Sequence, residues 1–340
     1  MLHPFQIATL IINTLLTVIG SVGNTFIVVV NGIDWVKTRH LDSIDIILTS
    51  LGAARFCFQW EIMVEKILLV VYPAFFTESA NIFYSIWIFL QFASFWFACW
   101  LSVFYCAKIV NLSHPLFIFL KFKIPEILPR LLWGSVLVSL VTCFPLGWGQ
   151  HMKCQSNLTI THASNNSIIT NCMLALDLCQ IYSYNFTNRS APNVATGPCK
   201  HYIYLIPAFC LGYGLPFFIF CMAALLLIGS LWNHTRKMTG NMMGFRNPNL
   251  KAHFVAIKVM ATFLLFGVFC FICVILDVLY LFPKESFWIH IVPVGTAAYS
   301  SLHSVILILS NSKLRQSFAK LLHHGMHSSG GVSQTYQLDI

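Results

Sequence analysis

Apolar residues in this chain come in runs too long for the core of a soluble domain. Seven runs stand out, over residues 6–30, 43–70, 81–108, 131–149, 202–232, 253–282 and 288–310. An α-helix needs ~20 apolar residues to cross the hydrocarbon core of a bilayer, and each run is close to that length or longer. Polar positions fall between the runs, in short links and in one long stretch, Gln150 to Lys200. The second and sixth runs are the least regular, because one contains Arg55, Glu61, Glu65 and Lys66 and the other Asp277. The pattern predicts an all-α membrane protein: a bundle of seven transmembrane helices over residues 1–315, and a short tail over 316–340. Beyond Lys320 the tail holds His323, His324, His327 and a Ser/Gly run, and is expected to be disordered.

Composition agrees. The chain is 57% hydrophobic and 9% charged, with mean hydropathy +0.75, against about 25% charged residues in a soluble domain. Charge then orients the bundle. With the N-terminus outside, fourteen of the twenty Lys and Arg residues lie on the cytoplasmic side. Four lie outside (Lys153, Arg189, Lys200 and Lys284), and Arg55 and Lys66 remain within the second run. This is the positive-inside distribution, so the net charge of +9 reports topology and not nucleic-acid binding. The first apolar run is full length and has no basic region before it, so it reads as a helix and not as a cleaved signal peptide. No internal repeat is visible.

The long outer stretch carries four N-glycosylation sequons, at Asn157, Asn165, Asn185 and Asn188. Two others, at Asn111 and Asn233, fall on the cytoplasmic side, out of reach of the glycosylation machinery. The same stretch holds Cys154, Cys172, Cys179 and Cys199, four of the twelve cysteines. An even number in an oxidising compartment suggests two disulfides, and four cysteines allow three pairings. The remaining eight lie in apolar runs and read as small packing residues.

A charge inside a membrane must face a partner or a water-filled cavity. Arg55 lies thirteen residues beyond Asp42, ~20 Å along its helix and near the midplane. Asn24 and Ser304 sit at comparable depth on the first and last helices. An Arg55–Asn24–Ser304 polar knot joining helices one, two and seven is therefore expected, as a structural clamp or as a switch.

The motifs narrow the class. Phe104-Tyr105-Cys106-Ala107-Lys108, followed by Ser113-His114-Pro115-Leu116-Phe117-Ile118-Phe119-Leu120-Lys121, resembles the FYxxK…SHPxFxxLK pattern of the vertebrate bitter taste receptors. These are the type 2 taste receptors, a family of G-protein-coupled receptors. The resemblance extends to Gly23-Asn24-Thr25-Phe26-Ile27 with Asn31, to Leu51-Gly52-Ala53-Ala54-Arg55 (the family's LAxSR), and to Leu227-Ile228-Gly229-Ser230-Leu231 with His234 and Met238. His253-Phe254-Val255-Ala256-Ile257-Lys258 is similar to HxxALK, and His303-Ser304-Val305-Ile306-Leu307 to HSxxL. Asp-Arg-Tyr and Asn-Pro-x-x-Tyr, the hallmarks of rhodopsin-like receptors, are absent. No cysteine lies between Phe58 and Ala98, so the rhodopsin-like disulfide at the top of helix three cannot form. The outer loop, longer and richer in cysteine than is usual in the family, departs from its pattern.

The resemblance implies a plasma-membrane sensory receptor that binds small bitter agonists and activates a heterotrimeric G protein of the gustducin type. It places the ligand near Trp87 and Gln91, which are four apart and share a helix face; Gln91 stands where the family uses Asn. Glu61 and Glu65, also four apart, and Asp277 are candidates to meet a protonated amine, or else form internal pairs, for instance with Lys66. Thr296 and Tyr299 are further pocket candidates. Tyr105, Lys108, His114, His234, His253 and Lys258 form the expected G-protein face, and Arg55, Asn24, His303 and Ser304 the switch. From Gln91 to Lys108 is ~25 Å of helix, so the signal must pass by helix rearrangement. A same-family receptor sensing other molecules in a non-taste tissue is the alternative, and a receptor oligomer is left open. A di-iron membrane enzyme would need several histidine boxes, and only His323 and His327 have such spacing. A transporter would show repeated halves or broken helices. No enzymatic activity, metal or other cofactor is expected.

Overall fold

The computed structural model describes residues 4–110, 115–161, 206–240, 248–278 and 288–329, and they form helices joined by short links. These are α1 (Pro4–Thr38), α2 (Ser43–Val71), α3 (Pro73–Ile109) and α4 (Pro115–Thr161). A π turn at Cys210–Gly214 leads into α5 (Leu215–Gly240), and α6 (Pro248–Val278), α7 (Trp288–Ser310) and α8 (Ser312–Ser329) follow. The first seven correspond to the seven apolar runs and form a seven-helix bundle. Packing runs α1–α2–α3–α4, then α3–α5–α6–α7, and α7 returns to α1 to close the ring.

Polarity is arranged for lipid. Leu15, Val22, Trp133 and Val141 are exposed on the outer surface of the bundle, whereas Asn24, Asn31, Arg55 and Gln59 are almost completely buried within it. Polar groups in a bilayer turn toward neighbouring helices because hydrocarbon offers them no hydrogen bonds. Among the described residues, five helices are long and apolar enough to cross a membrane by composition alone; α2, with its five charges, is not among them.

Three boundaries differ from the sequence expectation. α4 begins sixteen residues before 131 and runs on to Thr161, although Pro125, Pro129 and Pro145 lie inside it. The first part of the outer stretch, including the backbone at Cys154 and Asn157, is thus helical. The tail is not disordered from Lys320: α8 continues to Ser329 and starts at Ser312, so it crosses the expected division at 315. Asn311 explains that start, since its side-chain oxygen accepts from the Lys313 and Leu314 amides at 3.0 and 3.2 Å, an N-cap. Asn165, Asn185, Asn188, Cys172, Cys179 and Cys199 lie outside the described residues.

The π turn has a local cause. Pro216 has no amide hydrogen and its ring crowds the carbonyl one turn earlier, so the ladder widens and the Leu215 amide donates five residues back, to Cys210. Gly212 lets the widened turn approach α3, because a Cβ there would overlap the Phe92 ring. Tyr213, fully buried, thereby becomes the hub of an aromatic cluster with Phe95 at 4.1 Å, Phe271 at 5.5 Å and Phe209 at 5.7 Å.

Candidate functional site

At one end of the bundle, α2 and α3 bring together most of the expected ligand residues. Trp87 is half-buried, stacked on Tyr84 at 6.1 Å and against Phe58 of α2 at 6.3 Å. Gln91, one turn deeper, is buried and lies near Tyr213. Glu61 follows Phe58 by three residues and so shares its helix face. Its two carboxylate oxygens are buried and have no hydrogen-bond partner among the described residues. Glu65 differs: it pairs with Lys66 at 3.5 Å and is partly exposed. The internal pair thus takes Glu65 and leaves Glu61. Thr296 is buried on α7, and the Asp277 side chain lies outside the described residues.

Midway along the bundle a buried polar band crosses α1, α2, α3 and α7. Ser304 donates to the Asn24 side-chain oxygen at 2.6 Å, so that part of the expected knot forms. Arg55 is not its third member. Gln59, one turn along α2, holds the place: its amide donates to Ser301 at 2.8 Å and accepts from Asn24 at 3.5 Å. Ser301 in turn donates to the backbone carbonyl of Leu16 at 2.7 Å, which brings α7 onto α1. Gly20 makes the arrangement possible, since a Cβ there would overlap the Gln59 amide. Gln59 was missed because it carries no charge and belongs to none of the motifs.

Arg55 instead points toward α3 and α7. Its Nε donates to Ser94 at 3.3 Å, and the guanidinium lies over the Tyr299 ring, 5.1 Å from the centroid. Tyr299 is sandwiched further by Phe95 at 5.9 Å and His303 at 5.4 Å, and His303 meets Phe263 of α6 edge-on at 4.3 Å. Tyr299 is buried beside Arg55 in the middle of the bundle, one turn from Thr296.

At the other end, Tyr105 is half-buried and packs in the core, whereas Lys108 is exposed with its ammonium 5.7 Å from the Phe104 centroid. His234 and Lys258, on α5 and α6, are exposed. The His253 side chain and His114 lie outside the described residues. An ionic clamp that the motifs do not announce closes this end. Lys313 of α8 lies 2.7 Å from both Asp34 of α1 and Asp45 of α2. Partial burial by itself would lower the Lys313 pKa, but the hydrogen bonds to Asp34 and Asp45 prevail and raise it. Asn31 braces the clamp by donating to the Asp45 carbonyl and to Thr49. The signal lay in three polar residues at the ends of different helices, which only the packing brings together.

Comparison with known proteins agrees with this architecture. A family model described as taste receptor protein (TAS2R) matches residues 1–185 and 168–326. Taste receptor type 2 member 9 of Macaca mulatta is 34% identical over 311 residues, covering 89% of each chain. Taste receptor type 2 member 41 of Pan paniscus is 33% identical, covering 91% of this chain and 93% of its own. Taste receptor type 2 member 40 of Gallus gallus is 33% identical, covering 94% of this chain and 96% of its own.

Proposed function

This chain belongs to the type 2 taste receptor family, and from that premise we propose how, as a bitter taste G-protein-coupled receptor in the plasma membrane, it converts agonist binding into a signal. Small bitter compounds bind at the Trp87 end, which faces outward with the N-terminus, and a gustducin-type heterotrimer binds at the Lys108 end. Residues 1–315 are the receptor domain and the remainder is cytoplasmic. Trp87 offers a half-buried aromatic face to the agonist, Gln91 orients it by hydrogen bonds, and Glu61 supplies the counter-charge for cationic agonists. Glu65, Thr296 and Asp277 are secondary contacts, and Tyr299 acts within the transmission layer.

The observation that carries this account is the buried band between the two ends. Asn24, Gln59, Ser301 and Ser304 tie α1, α2 and α7 together, and Arg55, Ser94 and Tyr299 tie α2 to α3 and α7. An agonist drives activation only by its differential affinity for two arrangements of the bundle. A layer of discrete side-chain hydrogen bonds gives helices such alternatives. Tyr105, Lys108, His114, His234, His253 and Lys258 then present the face that the G protein selects, and the coupling is reciprocal.

Calcium imaging of cells expressing this chain with a promiscuous G protein, challenged with a broad panel of bitter alkaloids and lactones, tests the function. Saturable responses absent from untransfected cells are expected. Silence to the whole panel at normal surface expression would reject the bitter reading in favour of another ligand class.

A further inference from the structure

The outward face of α4 changes character toward its cytoplasmic end. From Leu137 through Val141 to Phe144 that face is exposed and apolar, as a surface against hydrocarbon must be. One turn before Leu137, Trp133 is 71% exposed, and three turns earlier Phe122 is 73% exposed. Between these two rings the same face carries Lys123, Glu126 and Arg130, all exposed, together with Pro125 and Pro129. The segment is no free loop. Ile124 and Leu128, on its other side, are buried in one cluster with Phe104 and Ala107 of α3. Further along, Trp100 of α3 donates to Ser135 at 2.7 Å, which fixes the rotation of α4.

Neither bulk water nor hydrocarbon suits this face. Water leaves two large rings unburied, and hydrocarbon leaves three charges unsolvated. The headgroup layer satisfies both, since aromatic rings settle at that level and long basic side chains reach from it to phosphate. Lys123 pairs with Glu126 at 2.9 Å, and Arg130, one turn on from Glu126, shares its side of the helix. Two cations around one carboxylate leave one positive charge in excess, which a zwitterionic lipid does not balance. We propose that the stretch from Phe122 to Trp133 is a docking site for an anionic phospholipid of the cytoplasmic leaflet, of the phosphatidylserine class. Its headgroup lies against Lys123 and Arg130, and its chains run along Trp133 toward Leu137. The one excess charge matches the one net charge of that lipid, to which this leaflet owes its negative surface potential. Bound there, the lipid steadies the junction of α3 and α4 beside Lys108. This goes beyond the taste-receptor assignment; it rests on the orientation proposed above, which the glycosylation pattern tests separately.

A ligand that binds only the folded protein raises its stability with ligand concentration. In nanodiscs, replacing phosphatidylcholine stepwise by phosphatidylserine should raise the receptor's thermal midpoint until the effect saturates. Lys123→Gln combined with Arg130→Gln should lose most of that rise. Arg315→Gln combined with Lys320→Gln, an equal loss of charge on α8, should keep it. Glu126→Gln makes the site more positive and should saturate at a lower phosphatidylserine fraction. If the Lys123/Arg130 variant does not fold, native mass spectrometry of receptor released from mixed micelles should show phosphatidylserine retained over phosphatidylcholine, and more so in Glu126→Gln. A flat response to phosphatidylserine, equal losses in the α4 and α8 variants, or no preferential retention would overturn the proposal. A rise produced by the G-protein heterotrimer but not by phosphatidylserine, and lost with the same two α4 substitutions, would assign the face to the G protein instead.

Discussion

Gln59 and Asn24 carry more of the middle layer than their side-chain size suggests. Each donates and accepts, so the pair satisfies Ser301, Ser304 and one another across three helices. Gln59→Leu removes one donor and one acceptor and leaves Ser301 with backbone partners only. Interhelical hydrogen bonds in membranes are worth about 0.6 kcal/mol on average and up to about 1.7. The thermal midpoint of the purified variant should fall by a few degrees, and a drop no larger than that of Leu15→Ala, on the lipid face, would count against the layer. Glu61→Gln is the corresponding experiment at the binding end. Loss of a counter-charge should weaken a permanently cationic agonist about tenfold or more and spare a neutral one. Equal shifts for both agonists would make Glu61 a packing residue. The sequence located Asn24, Ser304 and Arg55 at the right depth from helix rise alone. It paired Asn24 with Ser304 correctly but joined Arg55 to them wrongly, because depth says nothing of the direction in which a side chain leaves its helix.

At the scale of elements, the seven helices were legible because apolar run length is set by bilayer thickness, a constraint that no packing detail overrides. Helix ends were less so. The α8 start depends on one cap, Asn311, and its continuation to Ser329 on an apolar face that buries Leu314 and sets Phe318 5.6 Å from Phe26 of α1. Lys313 then pins α8 to α1 and α2 through Asp34 and Asp45. Lys313→Gln should loosen this junction. For a lysine whose pKa is raised, the stabilisation is present below the ordinary lysine value and is lost only as pH rises above it. The variant's stability deficit should thus be the same at pH about 6 and about 8, both far below the ordinary lysine pKa of about 10.4. A deficit that disappears between those values would assign the effect to another group.

For the whole molecule, orientation and coupling are the main claims. Charge counting places Gln150–Lys200 outside, so enzymatic deglycosylation should increase gel mobility, and replacing Asn157, Asn165, Asn185 and Asn188 together by Gln should abolish the change. Glycan at Asn111 or Asn233 instead would invert the topology. Coupling is tested most directly with purified components: receptor in lipid nanodiscs, a gustducin-type heterotrimer, and nucleotide exchange measured with and without an agonist from the cell-based panel. The account predicts agonist-dependent exchange that Lys108→Ala reduces while agonist binding persists, and that Trp87→Ala reduces by weakening agonist binding. Agonist binding with no increase in exchange on that heterotrimer, or exchange that Lys108→Ala and Trp87→Ala leave untouched, would contradict it.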